Sequence, residues 1–303
     1  MFPTDLMMSQ IIRQILFFFA ACVFAQTGLA VTDDEAYEAA ILAGVHRGES
    51  LWLTSGGSKF FSLYTEETLG SPQGGIILIH DAGGHPNWAG VIGPLRRRLP
   101  DFGWSTLSIQ LPEIPSSLDS EKVKSLRQET DARIGAAIQE FSKRNIRNIA
   151  LIGHGMGARL SAGYLAKGQS SGVSGFVGIS LETTPGRTPD LIELLKALEG
   201  INLPVLDLFG SHDNLGVLQT AKRRVLAARR GANLASAQQN QKSFRFSSVA
   251  ESSLTRSRGP IAYRQIKIDG ADHFFTGLEE PLIKRVRGWL KRHTAGVKVK
   301  LKQ

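Results

Sequence analysis

Asn148-Ile-Ala-Leu-Ile-Gly-His-Gly-Met-Gly-Ala-Arg-Leu160 decides how the rest of this chain is read. Ile149 to Ile152 is a short, wholly apolar run, the pattern of a strand covered on both faces. Gly153, Gly155 and Gly157 then break it, and Ala158 to Leu165 has the character of a helix start. A strand, a sharp glycine turn and a helix form the setting of the pattern G-x-S-x-G, whose central serine is thrust out at the end of the strand. Here the pattern reads Gly153-His154-Gly155-Met156-Gly157, and the nucleophile position is Gly155. The architecture is announced, and the atom that usually does the chemistry is absent.

Outward from this turn the chain alternates. Leu51–Thr54 and Lys59–Tyr64 flank Ser55-Gly-Gly-Ser58 as a hairpin. Gly75–His80 is another buried strand and ends in the loop Asp81-Ala-Gly-Gly-His-Pro86. Trp88–Leu99 reads as a helix, Trp104–Gln110 as a strand, and Asp119–Arg144 as a long amphipathic helix. Strands follow at Gly175–Ser180, Leu203–Phe209 and Ile261–Ile268, with helices at Thr188–Leu198, Leu215–Arg230 and Glu280–Arg292. Asp33–Gly48 has helical spacing. Gly231–Pro260 is polar and reads as a surface insertion, and Val297–Lys302 as a basic tail. The expected fold class is α/β, a mostly parallel central sheet with helices on both faces and an N-terminal hairpin. Right-handed crossovers put all the parallel strand ends on one edge, where ligands bind.

Candidate site residues gather at those strand ends. Asp213 closes the strand before Leu215, and His273 follows the last strand. A carboxylate can fix the tautomer of an imidazole and stabilise its charged form while the imidazole moves a proton. Backbone N–H groups of Ala82 or Gly83, and of Met156, stand where an oxyanion hole would form. Five of the seven histidines, His80, His85, His154, His212 and His273, fall in these loops together with Asp81, and form a set of pocket candidates. Ligand spacing such as H-x-x-x-H is lacking, so no metal is expected.

With these residues in place, the chain resembles the α/β-hydrolase superfamily. More closely it resembles a secreted bacterial branch catalogued only as a domain of unknown function. The likeness is carried by Ile77–Pro86, Pro94–Arg96 with Gly103-Trp104, Leu107–Pro112, Leu151–Ala158 and Gly270–His273. That branch also tends to lack serine at the turn, so the resemblance implies a fold and no assigned reaction. It transfers the acid role to Asp213 and the histidine role to His273. The first functional expectation is a non-catalytic binding protein that keeps the pocket, for an unknown small-molecule or acyl ligand. The alternative is hydrolysis of an ester or acyl bond by water activated through His273 and Asp213. A further alternative reads Gly153-x-Gly155-x-x-Ala158 as a dinucleotide fingerprint, with Glu182 as the ribose acid. No cofactor is expected.

The chain has 303 residues and a formal net charge of +9, spread over several clusters. That balance favours weak contact with an anionic envelope surface, through Lys222, Arg223, Arg224, Arg229, Arg230 and the tail lysines, over specific nucleic-acid binding. Arg13 followed by the apolar run Ile15–Ala25 has the form of a secretory signal peptide, cleaved after Ala25 or Ala30. This predicts a periplasmic or secreted single domain. Lipoprotein anchoring at Cys22, the only cysteine, is the lesser option.

Overall fold

The structure, a computed structural model, describes residues 41–113, 119–168, 172–183, 188–246 and 263–294. The chain divides into two compact units, 1–43 and 44–303. Of the first, only helical residues 41–43 are described. The expected signal peptide, Cys22, residues 33–40 of the expected 33–48 helix and the basic tail lie outside the described residues; that helix ends at Ala43 and does not extend to Gly48.

Eight strands form one sheet. β1 (Glu49–Ser55) and β2 (Ser58–Thr65) make the hairpin around Gly56-Gly57. β3 (Gly74–Ile79) leads to α1 (Ile92–Arg98), and β4 (Trp104–Ile109) to α2 (Ser120–Lys143). β5 (Ile149–His154) runs straight into α3 (Gly155–Ala166), and β6 (Val173–Ile179) precedes α4 (Thr188–Gly200). β7 (Val205–His212) is followed by the short α5 (Leu215–Leu218) and α6 (Ala221–Phe246), and β8 (Tyr263–Asp272) by α7 (Glu279–His293). The order across the sheet is β1-β2-β4-β3-β5-β6-β7-β8. The hairpin joins antiparallel through β2–β4, and every pairing from β4 to β8 is parallel.

The period-two alternation of the central strands sorts the core into two layers. Ile77 and Ile79 of β3 and Leu151 of β5 pack with Leu126, Ile134 and Phe141 of α2, Leu160 of α3 and Leu194 of α4. Ile76, Leu78, Ala150 and Ile152 face the other way, onto Ile92 and Leu95 of α1 and Leu282, Val286 and Trp289 of α7. Both faces being covered explains why these strands read as continuous apolar runs. Asp119 caps α2 by accepting the Lys122 N–H at 2.9 Å.

Three expectations are corrected. The helix expected from Trp88 begins at Ile92; Trp88 to Val91 form turns, with the Trp88 carbonyl taken by Gly93 N–H at 2.7 Å. The helix expected to end at Arg230 breaks near Gln219 and then continues to Phe246, through half of the stretch expected as an insertion. Gln, Ala, Lys and Arg are good helix formers even where no apolar stripe advertises them. Residues 247–262 lie outside the described residues. Arg224 is not a surface cation: it is fully buried and paired with Asp207 at 2.7 Å, while Tyr263 and Gln265 also donate to that carboxylate. Lys222, Arg223, Arg229 and Arg230 are exposed on the same helix. Among the described residues, no helix is long and apolar enough to cross a membrane.

Candidate active site

The turn after β5 has the expected geometry. His154 is extended, at φ −116°, and Gly155 follows with φ +51°, in the left-handed region that glycine enters without a Cβ clash. A second constraint was not visible in the sequence. A Cβ on Gly155 would stand inside contact distance of the Asp81 carboxyl carbon and both its oxygens. The space of a serine side chain is already taken by a carboxylate from the end of β3.

That carboxylate is fully engaged. Asp81 Oδ1 accepts the backbone N–H of Ala82 and of Met156, each at 2.7 Å. These are the two donors expected of the oxyanion hole. Oδ2 lies 2.9 Å from Nε2 of His273, whose Nδ1 lies 2.6 Å from Asp213 Oδ1. Asp213 is held in turn by Ser180 Oγ at 2.6 Å and by the backbone N–H of Asn214 at 2.8 Å. Ser180 sits at φ +51°, an uncommon conformation for serine that persists where surrounding structure enforces it. The line Asp81–His273–Asp213 therefore joins the ends of β3, β8 and β7 across the turn after β5.

The electrostatics follow from this geometry. Burial disfavours charge on His273, but hydrogen bonds to Asp213 and Asp81, reinforced by their charges, outweigh it and lift the imidazole to about 10. It is an imidazolium at neutral pH. Burial likewise opposes the charge on Asp81, yet the bonds from His273, Met156 and Ala82 and the nearby His154 hold it below the ordinary carboxylate value. Asp213 is shifted down in the same way, burial being overcome by His273 and Ser180. Glu182, just after β6, lies 3.7 Å from His273 Nε2 and is bonded by Asn214. Burial and the charge of Asp81 push it upward.

The structure thus brings Asp213, His273, Gly155, Ala82, Met156 and Asp81 together, with His154 packed beside them. The His154 and His273 rings are 4.8 Å apart, and His154 Nε2 lies 2.9 Å from the His273 carbonyl oxygen. Burial shifts His154 below the ordinary imidazole value. His80 is not a pocket residue. It is buried, receives the Leu111 N–H on Nε2 and bonds the Asp81 carbonyl through Nδ1, and burial drives it down to about 4. It braces the Asp81 loop. His212 is exposed at the outer end of β7, opposite Asp272 in the ladder, and is also outside the site. Gly83 has φ +70° and shapes the loop, while Ala82 supplies the donor. His85 lies edge-on to Trp88, which meets Phe274 at 6.4 Å between centroids. Phe274, 41% exposed, extends this aromatic rim towards His273. A cavity of about 280 Å³ lies beside the centre, between α2, α3 and α4. Met156 links the two: it lines the cavity, and its N–H binds Asp81.

Asp81, His154 and His273 offer ligand atoms within 4.8 Å of one another, the one such group among the described residues. A metal there would have to displace the proton shared by His273 and Asp81. The glycines of the dinucleotide-like pattern have packing duties instead. A Cβ on Gly153 would meet the Ala158 backbone, and one on Gly155 the Asp81 carboxylate. Glu182, the supposed ribose acid, is directed to His273 and Asn214.

A family model described as "Protein of unknown function (DUF3530)" matches residues 21–121 and 115–259. The chain belongs to this family. No curated protein matches it. Among solved structures, this DUF3530 chain is similar to Est1E from Butyrivibrio proteoclasticus, at 13% identity and TM-score 0.57, over 82% of this chain and 100% of that one. It is similar to a dienelactone hydrolase from Anabaena variabilis at 16% identity and TM-score 0.56, over 82% and 100%. An esterase domain of a Rhodothermus marinus protein matches at 11% identity and TM-score 0.54, over 81% and 98%. At these identities the likeness establishes the α/β-hydrolase fold.

Proposed function

We propose that this DUF3530 protein is an exported hydrolase that works without serine, at a centre formed by Asp81, His273 and Asp213 with the N–H groups of Ala82 and Met156. One observation carries the reading: the carboxylate of Asp81 stands in the nucleophile's place, bonded to both oxyanion-hole donors and to the histidine. The proton relay behind it is complete to Ser180 and Asn214. Export is supported by Arg13 and the apolar run to Ala25. His273 rests as an imidazolium, so it becomes a base only when the charge on Asp81 is neutralised.

The non-catalytic binding reading has its own support. A filled oxyanion hole and a charged histidine are what a silenced esterase would display. The two readings part in one experiment. Purified protein is assayed on a panel of activated esters, thioesters and epoxides, beside His273→Ala, and is treated with a fluorophosphonate. The hydrolase reading expects turnover of at least one panel member, lost in His273→Ala, and no fluorophosphonate label. No turnover across the panel would leave the binding reading standing. Stoichiometric labelling of Ser180, Ser211 or another serine would mean that a serine nucleophile exists after all.

A further inference from the structure

We infer that Asp81 is the covalent nucleophile of this centre and that its substrate is an epoxide, attacked at saturated carbon. The inference rests on the hydrolase reading and assigns the attacking atom and the bond that breaks.

The oxyanion hole selects the substrate class. Its two donors, Ala82 N–H and Met156 N–H, are both spent on Oδ1 of Asp81 itself. An acyl substrate attacked by this carboxylate would build its negative charge with no donor left to receive it. Attack at saturated carbon builds no oxyanion at a carbonyl. Once Oδ2 carries a carbon, Asp81 is an ester whose carbonyl oxygen, Oδ1, already lies 2.7 Å from both donors. Water adding to its carbonyl carbon then develops charge where the hole is aimed. The hole is arranged for the second half of a covalent cycle, the release of an alkyl group from Asp81.

The proton held at rest selects the leaving group. His273 presents an Nε2–H to Oδ2 at 2.9 Å. A halide or sulfate leaves without a proton, whereas the oxygen of an opened epoxide is a strongly basic alkoxide that needs one. In the first step the Oδ2–carbon bond forms and the ring carbon–oxygen bond breaks. Its electron pair goes to the ring oxygen, which takes the proton of His273. Esterification also removes the charge that held His273 protonated, leaving a neutral imidazole backed by Asp213. In the second step water adds to the ester carbon of Asp81 and gives a proton to His273 Nε2. The tetrahedral intermediate carries its charge on Oδ1. It collapses by breaking the bond from the ester carbon to Oδ2, and the departing alkoxide takes the proton of the newly added hydroxyl. The product is a vicinal diol, and the resting carboxylate and imidazolium are restored. The glycine at 155 belongs to the same design, since any side chain there would evict Asp81. The rim of Trp88, Phe274 and His85 suits an apolar or aromatic substituent on the ring.

Oxygen tracing tests this. Full-length protein in excess over styrene oxide, in water enriched in heavy oxygen, undergoes a single turnover and is digested for peptide mass spectrometry. The expected result is one heavy oxygen in the peptide containing Asp81 and none in the first diol formed. His273→Gln, which lacks both the proton donor of the first step and the base of the second, and Asp81→Asn should each lose all turnover. Heavy oxygen in the diol with none in Asp81 would overturn the nucleophile assignment while leaving the hydrolase reading intact. No diol from the wild type would overturn the epoxide assignment; ester turnover in the panel would then still uphold the broader reading. Because the wild type supplies the main readout, a variant that fails to fold does not spoil the test.

Discussion

Gly155→Ser is the perturbation whose cost is most directly written in the turn. A serine at φ +51° carries backbone strain of about 1–3 kcal/mol. Its Cβ would also overlap the Asp81 carboxylate, which must swing out. That movement breaks two charged hydrogen bonds from backbone N–H groups, each of about 1.5–3 kcal/mol. The total is on the order of 5 kcal/mol, comparable with the whole stability of many domains. Asp81→Ala empties the space in advance, so adding Gly155→Ser to it should incur the backbone strain alone. A double-mutant cycle by urea unfolding should therefore give a coupling of about 3 kcal/mol or more between positions 81 and 155, where independent sites would add within about 0.5 kcal/mol. The double variant also places an Oγ beside His273 once Asp81 no longer holds that imidazole charged. It should acquire slow hydrolysis of p-nitrophenyl acetate, lost again on His273→Ala. Additive stabilities would refute the claim that Asp81 occupies the serine's space. An unchanged stability in Gly155→Ser would refute the strained turn itself.

Two further outcomes follow from the charges. His273 is raised from 6.5 to about 10, so its contribution to stability is full below pH 6.5 and lost as pH rises through 10; Asp81 and Asp213 are depressed, and theirs is lost on acidification below the ordinary carboxylate value. The stability difference between wild type and Asp81→Asn, from unfolding curves across pH, should be largest in mildly acidic buffer and shrink towards pH 10; a difference independent of pH would refute the ion pair. Lys222, Arg223, Arg229 and Arg230 stand exposed on α6, and their charge reversal should abolish salt-sensitive co-sedimentation with anionic vesicles. Equal sedimentation of the wild type with neutral and anionic lipid would end that proposal.

The sheet, its parallel sense and the turn at Gly155 were legible in the sequence because each rests on local pattern: apolar runs, glycine spacing and the alternation of strands with helices. Asp213, His273 and the N–H groups of Ala82 and Met156 were legible because strand ends converge on one edge whatever the side chains do. The sequence shows Arg224 only as one of a run of helix cations, because its partner Asp207 comes from β7, which helix periodicity cannot reveal. His80 and His212 lay in the expected loops but turn away from the centre, one into the core and one into solvent.

Asp81 marks the boundary most clearly. The sequence established that a carboxylate follows β3 and that a glycine replaces the serine, as two unrelated facts. Only the tertiary structure joined them, since 74 residues of chain separate two atoms competing for one volume. Backbone periodicity dictates where strands end. Which side chain fills the space between those ends is decided by packing and hydrogen bonding among segments distant in sequence, and that is where the chemistry of this protein lies.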